Sequence, residues 1–184
     1  MTVICALHQN GETWIGADSR ACGSHGQIIA GSIKKWIVSA DAAIGSNGEA
    51  IATQILHRNR AVILHVPNPC QIADEFKSLI IPAFKESGDT ESAKAWGVSS
   101  LIATHHGVYD VDSAFHVMEI NRGTLWARGA GRDFAIGAGN ATRGDNPMAR
   151  VRKALEMACE FNAGCGGQLF IHRLGDPSQN LEEN

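Results

Sequence analysis

Long apolar runs are missing from this chain of 184 residues; none approaches the ~20 apolar residues that a membrane-spanning helix needs. A charge excess is missing too. Sixteen Lys and Arg stand against nineteen Asp and Glu, a net charge of −3, which argues against the basic face that binds nucleic acid. The five cysteines (Cys5, Cys22, Cys70, Cys159, Cys165) are odd in number and include no Cys-x-x-Cys pair, so neither a disulfide framework nor a structural zinc site is expected. The N-terminus has no basic segment leading into an apolar one, which is the pattern of a secretory leader, so the expectation is a cytoplasmic protein. Gly129-Ala130-Gly131 and Gly137-Ala138-Gly139 lack the third glycine of a dinucleotide fingerprint, and no cofactor is expected. His105, His106, Asp110, Asp112 and His116 alternate along strands without zinc or calcium spacing, so no metal is expected.

What remains, 44% apolar and 19% charged with twenty glycines, is the composition of one folded domain with many tight connections. Thr2–Gln9 and Glu12–Asp18 read as two strands joined at Asn10-Gly11, the strongest short hairpin signal. Short strands follow at Gln27–Ala30 and Lys35–Ala40. Ala42–Gly48 reads as a turn, with Asn47 as N-cap of a helix over Glu49–Asn59. A second helix spans Cys70–Ser87, with Pro82 expected to kink or divide it. Gly88–Lys94 reads as a loop. Strands are expected at Val98–Thr104, Val108–Asp112, Ala114–Ile120, Thr124–Arg128 and Asp133–Gly139. Asn146-Pro147 caps a helix from Met148 to about Asn162, and Leu169–Leu174 forms a last strand. The domain covers 2–174 and the polar tail 175–184. Strands, helices, strands, helices and a strand in that order suggest sheets packed on each other with helices outside.

The second residue carries the most chemistry. Methionine before a small residue is usually trimmed, which would expose Thr2 as an N-terminus holding a hydroxyl nucleophile and an α-amine together. Such an amine, with an unperturbed pKa of ~7.7–8.0, suits a general base at neutral pH. Thr2 lies eight residues before Asn10 and Asp18 seven after Gly11, so the hairpin brings Asp18 beside Thr2. Lys34-Lys35 opens the strand at Trp36. An ammonium there would favour the Thr2 alkoxide, and Asp18 would hold and orient it. Backbone N–H groups of the turn Ala42–Ser46, with Ala42 as the candidate donor, would stabilise an oxyanion. The residues alone also fit a blander reading, with Asp18-Ser19-Arg20 as a strand-end turn and the lysines as a solvated strand edge.

The start TVICALHQNGETWIGADSR, then KKW, AIGSNGEA, FAIGAG and AGCGG before QLFIHRL, resembles proteasome β-type subunits, the HslV peptidase and the smaller bacterial proteasome homologues. The resemblance implies an α+β fold, a four-layer αββα sandwich of the N-terminal-nucleophile hydrolase type. It implies an N-terminal threonine endopeptidase with Thr2, Asp18 and a lysine as catalytic group. Counting without a gap selects Lys34; matching the apolar residue that follows favours Lys35. It further implies polypeptide substrates, a homo-oligomer of stacked rings of roughly six or seven subunits, and an ATPase unfoldase as a partner. Three supporting positions depart from the family pattern. Ala138 stands where the strand-to-helix motif has a serine, Asn162 where an acidic residue is usual, and Cys165 where a second serine is usual. These departures predict weak or unusual activity. The alternatives on the same scaffold are an inactive assembly protein or a small-molecule amidase.

Overall fold

Asn10 and Gly11 sit at positive φ (54° and 77°), as a type I′ turn requires. The turn joins β1 (Val3–Gln9) to β2 (Glu12–Asp18) in a register running from Gln9↔Glu12 to Ile4↔Ala17. The structure is a computed structural model that describes residues 2–22, 27–29, 33–48, 50–86 and 98–175. β10 (Trp126–Gly129) and β11 (Leu169–Arg173) flank this hairpin, giving an antiparallel sheet in the order β10-β1-β2-β11. A second antiparallel sheet runs in sequence order through β5 (Trp36–Val38), β6 (Ala42–Asn47), β7 (Ser99–Thr104), β8 (Gly107–Val111) and β9 (Val117–Ile120). β3 (Ala21–Cys22) and β4 (Ile28–Ile29) form a separate small ribbon.

The two sheets stack face to face through Ile4, Ala6, Ile15, Ala17, Trp36 and Leu101. Helices α1 (Ala50–Arg58), α2 (Arg60–Ile63) and α3 (Pro69–Glu86) cover the second sheet through Leu56, Phe76 and Ile80 on Ile44 and Ile102. Helices α4 (Arg132–Ala141) and α5 (Pro147–Phe161) cover the first, with Ala135, Val151 and Leu155 on Val3, Cys5 and Leu7. The layers are therefore α, β, β and α, as expected. Strands such as β1 are buried on both faces, which is why VICAL is apolar without alternation.

Several local expectations fail. Ala42–Asn47 is a buried strand, not a turn, and Asn47 is its last residue, accepting from Ser99 Oγ instead of capping a helix. Alanine and glycine are weak strand formers, but only small residues fit here. A Cβ on Gly45 would lie 3.1 Å from Ile4 of the other sheet. Asp133–Gly139 is helical, not a strand: it lies within α4, with Ala135 and Gly139 buried one turn apart and Gly139 pressed on Leu125. Pro82 lies inside one continuous helix and does not divide it. The loop expected at Gly88–Lys94 and the tail beyond Gly175 lie outside the described residues. Asn146 caps α5 as expected, its Oδ1 accepting from Ala149 N–H at 2.8 Å.

An ion pair also spans the two sheets. Arg128 of β10 donates through Nε and Nη2 to both oxygens of Asp110 on β8, and Asp110 is buried. Removing one partner of a buried pair strands the other. Asp110→Ala should lower the unfolding free energy by about 2–3 kcal/mol in urea titration. The loss falls below that of a fully buried pair because a fifth of the Arg128 side chain stays in water.

Candidate active site

Because Ile4 faces Ala17, the next step along the hairpin sets Thr2 and Val3 against Asp18. Asp18 is fully buried, and its oxygens accept four hydrogen bonds. Oδ1 receives Thr2 Oγ1–H (2.9 Å), Val3 N–H (2.9 Å) and Lys35 Nζ–H (2.7 Å). Oδ2 receives Gly166 N–H (2.9 Å). A buried carboxylate is tolerated only with such partners. Lys35, itself buried, gives a further bond to the Arg20 carbonyl (2.7 Å). Lys34, one residue earlier and on the other side of the chain, stacks 5.4 Å over the Trp36 ring and 5.8 Å over Phe170. The structure thus brings Thr2, Asp18 and Lys35 together and directs Lys34 elsewhere.

Behind Thr2 runs the joint between β10 and α4. Gly131 N–H donates to the Thr2 carbonyl (3.3 Å). Gly129 has φ +98°, and a Cβ on it would lie 2.3 Å from the Thr2 oxygen, so no side chain fits. Asn162, at the end of α5, donates to Ala130 O and accepts from Gly164 N–H, while the buried Cys165 lies against its Oδ1 at 3.8 Å. Two expected positions are corrected. Ala138 lies along α4 with its carbonyl bonded to Thr142 Oγ1. The strand-to-helix joint is Gly129-Ala130-Gly131, so Ala130 is the residue without a hydroxyl beside Thr2. Ala42 cannot serve as oxyanion donor, because its N–H is taken by Ser39 Oγ (3.2 Å). It also sits at the wrong end of β6. Ser46, not Ala42, is bonded to Lys35 O, and the four-residue offset is about 13 Å of strand.

Sequence reasoning missed Gly166, Ala130 and the Arg20 carbonyl. The signal available was glycine spacing, since Gly166 and Gly167 both hold positive φ (146° and 80°) on the loop that reaches Asp18. Among the described residues, no three His, Cys, Asp or Glu side chains converge as metal ligands. Burial pushes the Cys165 thiol up to about 12, helped by the Asp18 carboxylate, and burial likewise pushes Cys159 up to about 11. Both are protonated at neutral pH, so Cys165 acts here as a packed thiol.

A four-layer sandwich of this topology is the fold of the N-terminal-nucleophile hydrolases, in its proteasome-β and HslV form. BPH from Thiobacillus denitrificans has the same fold with a TM-score of 0.72 and 24% identity, over 95% of this chain and 99% of that one. Its complex with epoxomicin gives 0.74 and 22% over 95% and 100%. Eukaryotic HslV from Trypanosoma brucei gives 0.70 and 15% over 93% and 98%. Neither a family model nor a curated protein matches the sequence.

Three measurements probe this site. Lys35→Met leaves the buried Asp18 carboxylate without its ammonium and should cost about 3–5 kcal/mol of stability. Lys34→Met removes the cation from the Trp36 and Phe170 rings and should cost less, about 1 kcal/mol; equal losses in urea unfolding would contradict the assignment. For the thiols, the sign follows from the direction of shift. Their folded pKa values are raised above the ordinary 9.0, so this contribution to stability is full below pH 9 and is lost as pH rises toward 11–12. Stability should therefore fall above pH 9. Iodoacetamide at pH 8 should label exposed Cys70 while sparing Cys165, as read by peptide mass mapping.

Proposed function

We propose that this protein is an N-terminal threonine hydrolase that cleaves peptide bonds, with Thr2 as nucleophile in a mature chain that has lost Met1. The observation that most supports this reading is the convergence of Thr2 Oγ1 and Lys35 Nζ on one oxygen of a buried carboxylate. In this reading the Thr2 α-amine takes the hydroxyl proton as Oγ1 attacks the substrate carbonyl. Lys35, oriented by Asp18 and Arg20 O, lowers the energy of the developing alkoxide. The oxyanion is assigned to backbone N–H at the Lys35 end of β6, where Gly48 holds φ +108°. The Thr2 α-ammonium passes that proton to the leaving amine as the C–N bond breaks, leaving an ester on Thr2 and a neutral α-amine. The amine next activates water, and hydrolysis of the ester releases the acid and restores the hydroxyl.

The same reading takes polypeptides as substrates, stacked homo-oligomeric rings as the assembly, an ATPase unfoldase as the partner and the cytoplasm as the compartment. A second reading, a nearly inactive assembly protein, is favoured by the missing hydroxyl at Ala130 and the uncharged Asn162. One experiment separates them. Purified protein is treated with epoxomicin, the ligand of the BPH complex, and its mass and peptide turnover are measured. A chain lacking Met1, an adduct on Thr2, and turnover lowered roughly a thousandfold or more in Thr2→Ala are expected. A retained Met1, or no adduct at saturating inhibitor, would overturn the hydrolase reading.

A further inference from the structure

Two segments close on the candidate site from different parts of the chain, and one side chain ties them together. Asn162 Nδ2 donates to Ala130 O at 2.9 Å, while Oδ1 accepts from Gly164 N–H at 2.9 Å and from the Cys165 thiol at 3.8 Å. Chemistry fixes the orientation of this amide. The Ala130 carbonyl can only accept and the Gly164 N–H can only donate, so the nitrogen must face Ala130.

Each end of this clamp reaches the site within one more residue. On one side, Gly131 N–H holds the Thr2 carbonyl, and Gly129 packs against that same carbonyl too closely for any side chain. On the other side, Gly166 N–H holds Asp18 Oδ2, and Gly166 O accepts from Arg20 N–H at 2.9 Å. Arg20 in turn binds Lys35 through its carbonyl and the Ala163 carbonyl through Nη1 at 2.9 Å. The Asn162 amide thus adds a second link between the backbone of Thr2 and the carboxylate of Asp18, beside the direct bonds that Thr2 Oγ1 and Val3 N–H make to Asp18 Oδ1.

We propose that Asn162 is a positioning residue for Thr2, and that it works as a hydrogen-bond donor to Ala130 O, a role that an ionised carboxylate in its place cannot fill. This deepens the threonine-hydrolase reading and rests on it. It runs against the simple expectation from the resemblance, where an acidic residue is usual. In this chain a carboxylate at 162 would set an oxygen without a proton against the Ala130 carbonyl, so restoring the acid should impair the site, not repair it.

The test compares Asn162→Ala and Asn162→Asp with the wild-type chain from pH 4.5 to 8.5. Two readouts are taken. One is backbone hydrogen exchange at 129–131 and 164–167, normalised for intrinsic rate; the other is peptide turnover with kcat and KM separated. Asn162→Ala should speed exchange at both segments about tenfold and lower kcat about 10–100-fold with KM nearly unchanged, by the same factor at every pH. Asn162→Asp should match that loss at pH 8. It should recover toward wild type as the pH falls and the carboxyl gains the proton that lets it donate. A purely space-filling role would give no such pH dependence. Wild-type exchange and turnover for Asn162→Asp at pH 8, or for Asn162→Ala at any pH, would overturn the proposal. If wild-type protein turns over no peptide, the hydrolase reading fails, and the exchange data still decide whether the clamp exists.

Discussion

A carboxylate with no exposure to water sits where the first two strands end, and much of the site geometry follows from the need to satisfy it. An ionised carboxylate in a protein interior loses its hydration, and only hydrogen bonds and an opposite charge can replace it. Asp18 draws those partners from three separate stretches of chain: the start of β1, the entry to β5 and the loop after α5. The donors are about 15, 17 and 148 residues away in sequence, so the site forms only when both sheets and the second helical layer are in place. The nucleophile candidate Thr2 is the fourth donor to the same group. Fold stability and the proposed chemistry therefore share one interaction.

Small residues make that convergence geometrically feasible. Gly45 lets β6 approach Ile4 across the sandwich, which sets β5, and with it Lys35, at the level of the strand ends. Gly129 lets β10 lie against the Thr2 carbonyl. Gly166 turns the loop after α5 so that an N–H, instead of a side chain, faces Asp18, and it leaves room for the Arg20 guanidinium that packs over it. Glycine is costly in entropy at each of these places, and each coincides with a contact that a Cβ would abolish.

This division explains what could be read from the chain alone. The β1–β2 hairpin was legible because Asn-Gly sets the register, and register arithmetic is enough to place Asp18 beside Thr2. The Asn146-Pro147 cap was legible because capping is local. What failed depended on partners distant in sequence. Ala42–Asn47 reads as a turn by composition and becomes a strand because the opposing sheet has room only for small residues. Reading α4 as a strand shifted the strand-to-helix joint by eight residues, from Ala130 to Ala138, and carried the supporting position with it. Neighbouring lysines on a short strand look equivalent until the strand's facing is known, and the packing of Trp36 between the sheets sets that facing.

The departures at Asn162 and Cys165 also gain a physical meaning. The backbone and side-chain groups that bond to Asp18 are neutral apart from Lys35, and burial pushes the Cys165 thiol nearby up to about 12, so it is protonated at neutral pH. An ionised carboxylate at 162 would add a negative charge to the loop whose Gly166 N–H holds the buried Asp18 carboxylate. An amide there adds no charge while supplying the donor to the Ala130 carbonyl. At this joint the Asn162 amide holds the Ala130 carbonyl, and the Cys165 thiol packs against the same amide without adding charge.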